Sequence, residues 1–325
     1  MKGLMRVYRG LDEICRPFNR PVLTIGNFDG VHLGHQALFS RVAEIAGSVS
    51  GDAVAITFEP HPLKVLRPGV PLLKICSLEH KIELIARSGV GHLVILPFDK
   101  ELAGTSAYDF AYNIFYRAIG VKDLVIGYDY ALGKGRQGDI AFLRDASGKF
   151  GFMVHVVGPV VVDGMIVSST LVRELVSQGD MRRVARLLGR YYQIRGIVQK
   201  GQRRGGPVLG FPTANLHLSE EDLCPKPGVY VTQVIADGRC HGGVLNIGSN
   251  PTFGGQRLGA EAHIFDFDKD IYGQPIKLNL IDRIRDEEKF SGPDELRARI
   301  AMDIETAYLI LANEKNLKKS CLEGV

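Results

Sequence analysis

The fold of the first half of this chain is decided by a stretch that reads Gly26-Asn27-Phe28-Asp29-Gly30-Val31-His32-Leu33-Gly34-His35. It lies between an apolar run, residues 21–25, and a helical pattern, residues 36–46. A strand, a glycine turn and a helix entrance together favour phosphate binding, because free backbone N–H groups and the positive end of the helix dipole meet there. His32 and His35 are three positions apart and share one helix face. The stretch therefore predicts a cradle for a nucleoside triphosphate, with a plain strand-to-helix turn as the alternative.

Apolar runs alternate with helical patterns through the rest of the first half. The candidate strands are residues 22–25, 53–58, 93–96, 124–126 and 154–157, and the candidate helices are residues 38–46, 78–88, 107–119 and 140–149. Such alternation predicts an α/β fold with a parallel, doubly wound sheet. Ligands bind such sheets beyond the carboxyl ends of the strands, which is where residues 26–35 lie.

The pattern changes near Gly189, after a helical region that covers residues 168–190. Short strand-like runs follow at residues 192–198, 229–235, 241–247, 262–267 and 276–281, and a helix is predicted at residues 293–314. This succession predicts a second domain that is a small β-barrel closed by one helix. We therefore expect two domains, residues 1–189 and 190–325.

Composition and charge exclude several classes of protein. The chain has 325 residues, of which 45% are hydrophobic and 23% charged, as is usual for globular proteins. A formal net charge of +4 is too mild to indicate nucleic-acid binding, and no apolar run is long enough to span a membrane. The five cysteines show no C-x-x-C spacing, so we expect neither a disulfide framework nor a structural zinc site. These features indicate a cytoplasmic protein, and we expect a monomer or a weak homo-oligomer.

Two further segments of the first half carry candidate ligand-binding residues. Ser169 and Thr170 open a helical pattern, and Arg173 follows one turn later, which is a suitable clamp for a second phosphate group. Simple helix capping by the hydroxyl groups is the alternative. Asp129 lies in a glycine-rich loop, residues 127–138, which is a candidate cover for a nucleotide.

In the second half, a glycine- and arginine-rich segment, residues 201–210, leads into Thr213 and Asn215. Backbone N–H groups of such a loop can bind phosphates. A hydroxyl and an amide oxygen two residues apart on an extended segment share one face and can hold Mg²⁺. Glu261 begins another strand-like run, where it is either a lone carboxylate facing a site or an exposed surface glutamate.

Taken together, these motifs resemble a known family. GNFDGVHLGH and SSTLVR are similar to the adenylyltransferase half of the bacterial bifunctional riboflavin kinase/FAD synthetases, and LGFPTANL, PGVYV and IGSNPTFGG to their riboflavin kinase half. The similarity runs from about Tyr8 to Leu311 in the family's order. It implies a Rossmann-like nucleotidylyltransferase domain followed by a six-stranded antiparallel β-barrel with a closing helix. It also implies two reactions: ATP phosphorylates riboflavin to FMN, and a second ATP adenylylates FMN to FAD and pyrophosphate.

The same resemblance implies roles for individual residues. Glu261 matches the family's catalytic base, and Thr213 and Asn215 match positions that bind Mg²⁺ and ATP phosphates. His32, His35 and Arg173 match catalytic positions of the adenylyltransferase half. The remaining positions expected to contact nucleotide are Gly26, Phe28, Asp29, Gly34, Asp129, Ser169, Thr170, Gly210 and Pro212.

The chain departs from the family pattern at two positions. Leu171 stands where the family often has arginine, and Leu132 where it often has an aromatic residue able to contact a ring. A riboflavin kinase with weakened adenylyltransferase activity is therefore one alternative. The others are a nucleotidylyltransferase with a different acceptor and a flavin- or nucleotide-binding module without catalysis.

Overall fold

The structure is a computed structural model that describes residues 4–199, 211–219, 221–252 and 255–314. The chain divides into two compact units, Met1–Ser169 and Thr170–Val325. The domain boundary expected near Gly189 stays a prediction.

The first unit contains a six-stranded parallel sheet with helices between its strands. Its strands are β1 (Arg6–Tyr8), β2 (Val22–Ile25), β3 (Ala53–Glu59), β4 (His92–Pro97), β5 (Asp123–Gly127) and β6 (Met153–Val157), and a hairpin of β7 (Val161–Val162) and β8 (Met165–Ile166) follows. The helices are α1 (Leu33–Ser48), α2 (Pro62–Leu66), α3 (Leu78–Ala86), α4 (Lys100–Gly104), α5 (Ala107–Phe110) with a π-helical continuation (Ala111–Ile119), a 3₁₀ turn (Lys134–Arg136) and α6 (Ile140–Phe150). The expected doubly wound α/β fold is confirmed.

The order of the strands places the predicted phosphate turn at the centre of the sheet. The order is β1-β4-β3-β2-β5-β6, so the chain moves from β2 towards one edge and later returns to add β5 and β6 on the other side. A crevice for ligands forms at such a reversal, outside the carboxyl ends of the two central strands. The turn after β2 and the loop after β5 both begin at this point.

Both faces of the sheet are covered, which explains why its strands are nearly continuous apolar runs. Val22 and Ala55 pack on one face with α1 and α3, whereas Leu23 and Val54 pack on the other with α5, its π-helical continuation and α6. The three-residue strand β1 was not predicted, because so short an edge strand carries almost no periodic signal.

The second unit contains a closed, antiparallel six-stranded barrel. It begins with α7, which starts at the unit boundary (Ser169–Gln178), and α8 (Met181–Leu188), and ends with α9 (Pro293–Asn313). The barrel strands are β9 (Tyr192–Gln199), β10 (Ala214–His217), β11 (Gly228–Ala236), β12 (Arg239–Thr252), β13 (Gly255–Ile264) and β14 (Pro275–Arg285), in the spatial order β10-β13-β12-β11-β14-β9. The expected barrel with a closing helix is confirmed.

Alternation along the barrel strands separates an inner core from an outer surface. Ala260 and Ala262 of β13 are buried, and Glu261 between them therefore lies on the outer face. Val229 and Val231 of β11 also face outwards, where Ala307 and Leu311 of α9 pack against them. All of β11 is buried, because one of its faces fills the barrel and the other lies under this helix.

Two expectations from composition can be compared with the described residues. Cys15, Cys76 and Cys224 are free. Among the helices of the described part of the chain, none has the length and apolar character needed to cross a membrane.

Candidate functional sites

The turn between β2 and α1 has an unusual backbone. Phe28, Gly30 and Val31 have φ angles of 47°, 78° and 41°, a region that residues with side chains rarely adopt. Before the turn, the Gly26 N–H donates to the Ile56 carbonyl across the sheet. Such strained backbone clusters at ligand-binding sites, because the surrounding structure must enforce it.

The two predicted histidines lie together at the entrance of α1. His32 is the N-cap, and its Nδ1 accepts a hydrogen bond of 3.4 Å from the His35 N–H. The imidazole rings stack with their centroids 3.6 Å apart, and the Phe28 ring meets His35 edge-on at 5.3 Å. A Cβ at Gly34 would stand 3.1 Å from the His32 ring, so a glycine leaves space for this stack. The structure thus brings Phe28, His32, Gly34 and His35 together at the positive end of a helix dipole.

Asp29 holds the turn in place rather than facing open space. Its buried carboxylate accepts hydrogen bonds of 3.1 and 3.3 Å from the Ile75 N–H. Its backbone carbonyl accepts a hydrogen bond of 2.9 Å from the Ser169 hydroxyl. Asp29 therefore ties the turn to Ile75 and to the first residue of α7, a role that the sequence did not indicate.

The other residues predicted for the adenylyltransferase half lie on α7 and in the loop after β5. Thr170 and Arg173 follow Ser169 in α7, within the second unit. Asp129 is exposed in the loop after β5, and its carbonyl accepts a hydrogen bond of 2.9 Å from Arg136. Leu132 is buried in the core and pairs through its backbone with Gly138, so its side chain does not face a ligand from this loop.

In the barrel, three polar residues form a row across neighbouring strands. Asn215 of β10 and Asn246 of β12 are both register partners of Glu261 on β13. Direct partners in an antiparallel sheet point to the same face with their Cβ atoms about 5 Å apart. The pairing therefore places one carboxylate between two amides on the outer face of the barrel.

A cavity of about 320 Å³ opens on this face, between the barrel and α9. Its volume lies within the range of small-molecule sites. The apolar part of its lining consists of Phe211, Val229, Val244, Phe290, Leu296 and Ile300, and the polar residues include Thr213, Asn246, Glu261 and His263. Apolar walls beside a few polar groups suit a flat ring system that carries a polar chain.

An ion pair secures the helix that forms one wall of this cavity. Arg285 of β14 donates to both carboxylate oxygens of Asp303 on α9, at 3.0 Å from Nε and 2.8 Å from Nη2. Asp303 is buried, and the Arg285 guanidinium also lies 5.7 Å from the centre of the Phe290 ring. This bidentate pair fixes the distance between α9 and the barrel and therefore the width of the cavity.

The barrel thus assembles most of the residues that the sequence singled out. Thr213 and Glu261 line the cavity, and Asn215 lies in register with Glu261. Pro212 is exposed, and Gly210 lies outside the described residues. The sequence did not assign functions to Asn246 or His263, although Asn246 immediately precedes the quoted stretch IGSNPTFGG.

The donor set here fits Mg²⁺ in its chemistry. The Thr213 hydroxyl, the Asn215 amide oxygen and the Glu261 carboxylate are hard oxygen ligands. In the described part of the chain there is no group of three His, Cys, Asp or Glu residues able to hold a metal ion. A magnesium ion at this position would therefore depend on oxygens of a bound phosphate for its remaining ligands.

Two family models of known proteins match successive parts of the chain. A family model described as FAD synthetase matches residues 16–171, and one described as riboflavin kinase matches residues 188–311. The bifunctional riboflavin kinase/FMN adenylyltransferase of Haemophilus influenzae is 35% identical over 93% of this chain and 98% of its own length. The protein of the same name from Escherichia coli K12 is 35% identical over 93% of this chain and 97% of its own length.

A solved structure also resembles the whole chain. It comes from Streptococcus pneumoniae, is named a macrolide-efflux protein, and has a TM-score of 0.85 at 31% identity. The match covers 94% of this chain and 99% of that one, although its name differs from those of the curated relatives. With two family models in order and full-length relatives at this identity, the chain belongs to the bifunctional riboflavin kinase/FMN adenylyltransferase family.

Proposed function

We propose that the barrel unit of this bifunctional enzyme phosphorylates riboflavin with Glu261 as the general base. The main support is the position of Glu261, which lies in register between Asn215 and Asn246 and lines the cavity beneath α9. The apolar wall of that cavity would receive the isoalloxazine ring, and the ribityl chain would extend towards the carboxylate. A glutamate with no role beyond the surface would not be expected to lie between two amides beside a cavity.

In the proposed reaction, Glu261 accepts the proton of the ribityl 5′-hydroxyl, and the oxygen of that hydroxyl attacks the γ-phosphorus of ATP. The bond between the γ-phosphorus and the bridging oxygen breaks, and ADP leaves. The Thr213 hydroxyl and the Asn215 amide would hold the phosphate oxygens in line with the attack. Mg²⁺, when bound, neutralises the charge that develops on those oxygens.

We further propose that the residues predicted for the first domain, 1–189, carry adenylyl transfer. An oxygen of the FMN phosphate attacks the α-phosphorus of ATP, and pyrophosphate leaves without a covalent enzyme intermediate. His32 and His35 would donate hydrogen bonds to the reacting phosphates at the entrance of α1, where the helix dipole already favours negative charge. Ser169, Thr170 and Arg173 would hold further phosphate oxygens through α7.

Chromatography of the flavins made from riboflavin, ATP and Mg²⁺ tests both proposals at once. We expect FMN followed by FAD. FMN alone would favour the alternative in which Leu171 has weakened the second activity, and no conversion by folded protein would contradict both.

Two variants separate the activities. Glu261→Gln keeps the size of the side chain but removes the base, so we expect FMN formation to fall by about 10²–10⁴-fold. Adenylylation of supplied FMN should be unchanged. His35→Ala should show the opposite pattern, and each variant is the control for the other. Loss of both activities in either folded variant would contradict the two-site proposal.

A further inference from the structure

His263, on the same face of the barrel as Glu261, is hydrogen-bonded to the residue before Thr213. His263 follows Glu261 by two residues on β13, so the two side chains share the outer face, and both line the cavity. The His263 Nδ1 lies 2.9 Å from the Pro212 carbonyl oxygen. Since a carbonyl oxygen only accepts hydrogen bonds, Nδ1 is the donor, which sets the tautomer of the neutral ring.

The hydrogen bond between His263 and Pro212 lies next to the end of the ladder between β10 and β13. The ladder between β10 and β13 begins at Ala214, which pairs with Ala262, so Thr213 lies one position before it and opposite His263. The Pro212 carbonyl belongs to the same planar peptide group as the Thr213 nitrogen. The histidine side chain therefore fixes the peptide plane of Thr213 just beyond the end of the ladder.

The His263 ring is itself held on two sides. The Phe211 ring meets it edge-on with centroids 5.5 Å apart, and the Phe265 ring lies 5.9 Å away at an interplanar angle of 61°. Such edge-to-face packing limits the rotation of the imidazole. The donor is thus already oriented towards Pro212.

We propose that His263 is a positioning residue for phosphoryl transfer, which holds the Pro212–Thr213 peptide so that the Thr213 hydroxyl meets the ATP phosphates opposite Glu261. This inference rests on the proposed kinase site. His263 acts through Thr213, so its loss should affect the use of ATP more than the binding of riboflavin, although His263 also lines the cavity.

Substitutions that keep either the ring or the donor test this role. His263→Phe retains the aromatic packing without a donor, and we expect its kinase kcat/KM for ATP to fall roughly 10-fold, because one oriented hydrogen bond is lost at a site that depends on alignment. The KM for riboflavin should change by a smaller factor. His263→Asn carries an N–H near the position of Nδ1 and should restore most of the loss.

Hydrogen exchange supplies a readout that is independent of activity. Amides of the segment 211–217 should exchange faster in His263→Phe than in the wild type, and close to the wild-type rate in His263→Asn. If the phenylalanine variant does not fold, His263→Ala tests the same loss of donor. His241→Phe is the matched control, because His241 also packs edge-on against a phenylalanine, Phe267 at 5.0 Å, but does not line the cavity.

The outcomes distinguish this inference from the function on which it rests. If the wild type forms no FMN, the proposed kinase function fails. If the wild type forms FMN and Glu261→Gln abolishes it, but His263→Phe keeps the wild-type kcat/KM for ATP, only the positioning role is wrong. A change in the KM for riboflavin as large as the change in kcat/KM for ATP, or no restoration by asparagine, would also overturn it.

Discussion

At the scale of single residues, Gly30 shows how the turn after β2 depends on the absence of a side chain. Its φ angle is +78°, and a Cβ there would stand 2.7 Å from Cγ2 of Ile75. Ile75 is also the residue whose N–H binds the Asp29 carboxylate. A methyl group at Gly30 would therefore disturb both the backbone and the anchor of the turn.

We expect Gly30→Ala to lower the free energy of unfolding of the first unit by about 2 kcal/mol, through strain at positive φ and overpacking against Ile75. The rate of adenylylation should also fall, because the His32–His35 pair follows this turn. Urea denaturation and the rate of FAD formation from FMN measure the two effects.

Gly148 offers a matched control for this substitution. It lies within α6, is exposed, and a Cβ there would meet no atom within 4 Å. Gly148→Ala should stabilise the unit by up to about 1 kcal/mol, since alanine favours helix. Equal effects of the two substitutions on the free energy of unfolding would show that the first unit does not depend on the geometry of the turn.

At the scale of elements, a buried ion pair reinforces the apolar contact between α9 and the barrel. Asp303→Ala would leave the Arg285 guanidinium without its bidentate partner, and breaking such a pair costs about 3–5 kcal/mol. We expect a loss of this order in the free energy of unfolding of the second unit. Glu305→Ala, at an exposed position of the same helix, should change it by less than about 0.5 kcal/mol. Similar values for both variants would argue against the anchoring role.

His92, the first residue of β4, leads to a prediction about how stability depends on pH. Burial lowers the pKa of His92 from 6.5, aided by Arg6 and Arg16 and opposed by Asp52. Tyr8 lies beside the ring, with its hydroxyl 3.2 Å from Nδ1. Because the unfolded chain binds the proton more readily, the contribution of His92 to stability is complete above about pH 6.5 and is lost as pH falls towards the lowered pKa.

Acidification from pH 7.5 to 5.5 should therefore lower the thermal midpoint more in the wild type than in His92→Gln. The difference between the two proteins isolates this group from other titrating residues. An equal decrease in both would show that protonation of His92 does not contribute.

At the scale of the whole molecule, the two units have separate cores, and the two proposed activities should be separable in solution. Glu261→Gln and His35→Ala, mixed in equal amounts, should together convert riboflavin to FAD, because FMN released by one variant is the substrate of the other. Neither alone should do so. Absence of FAD from the mixture, when each variant still performs its own half-reaction on supplied substrate, would contradict independent sites.

Much of the architecture follows from local pattern. Glycines at 26, 30 and 34 beside two histidines predict the turn, and apolar runs predict β2 to β6 to within two residues at either end. Signals of this kind are local, because a strand, a turn or a cap is specified by residues near one another in the chain. The motifs of the barrel likewise indicate the family from the sequence alone.

Only the tertiary structure decided how distant residues meet. The register of β10, β13 and β12 brings Asn215, Glu261 and Asn246 into one row, and an alternation of polar and apolar residues does not specify which strand pairs with which. The anchoring of Asp29 by Ile75 and the hydrogen bond from His263 to Pro212 join residues 46 and 51 positions apart. The sequence by itself determined the types of element and the chemistry of their side chains, whereas strand order, register and packing determined which of those side chains share a site.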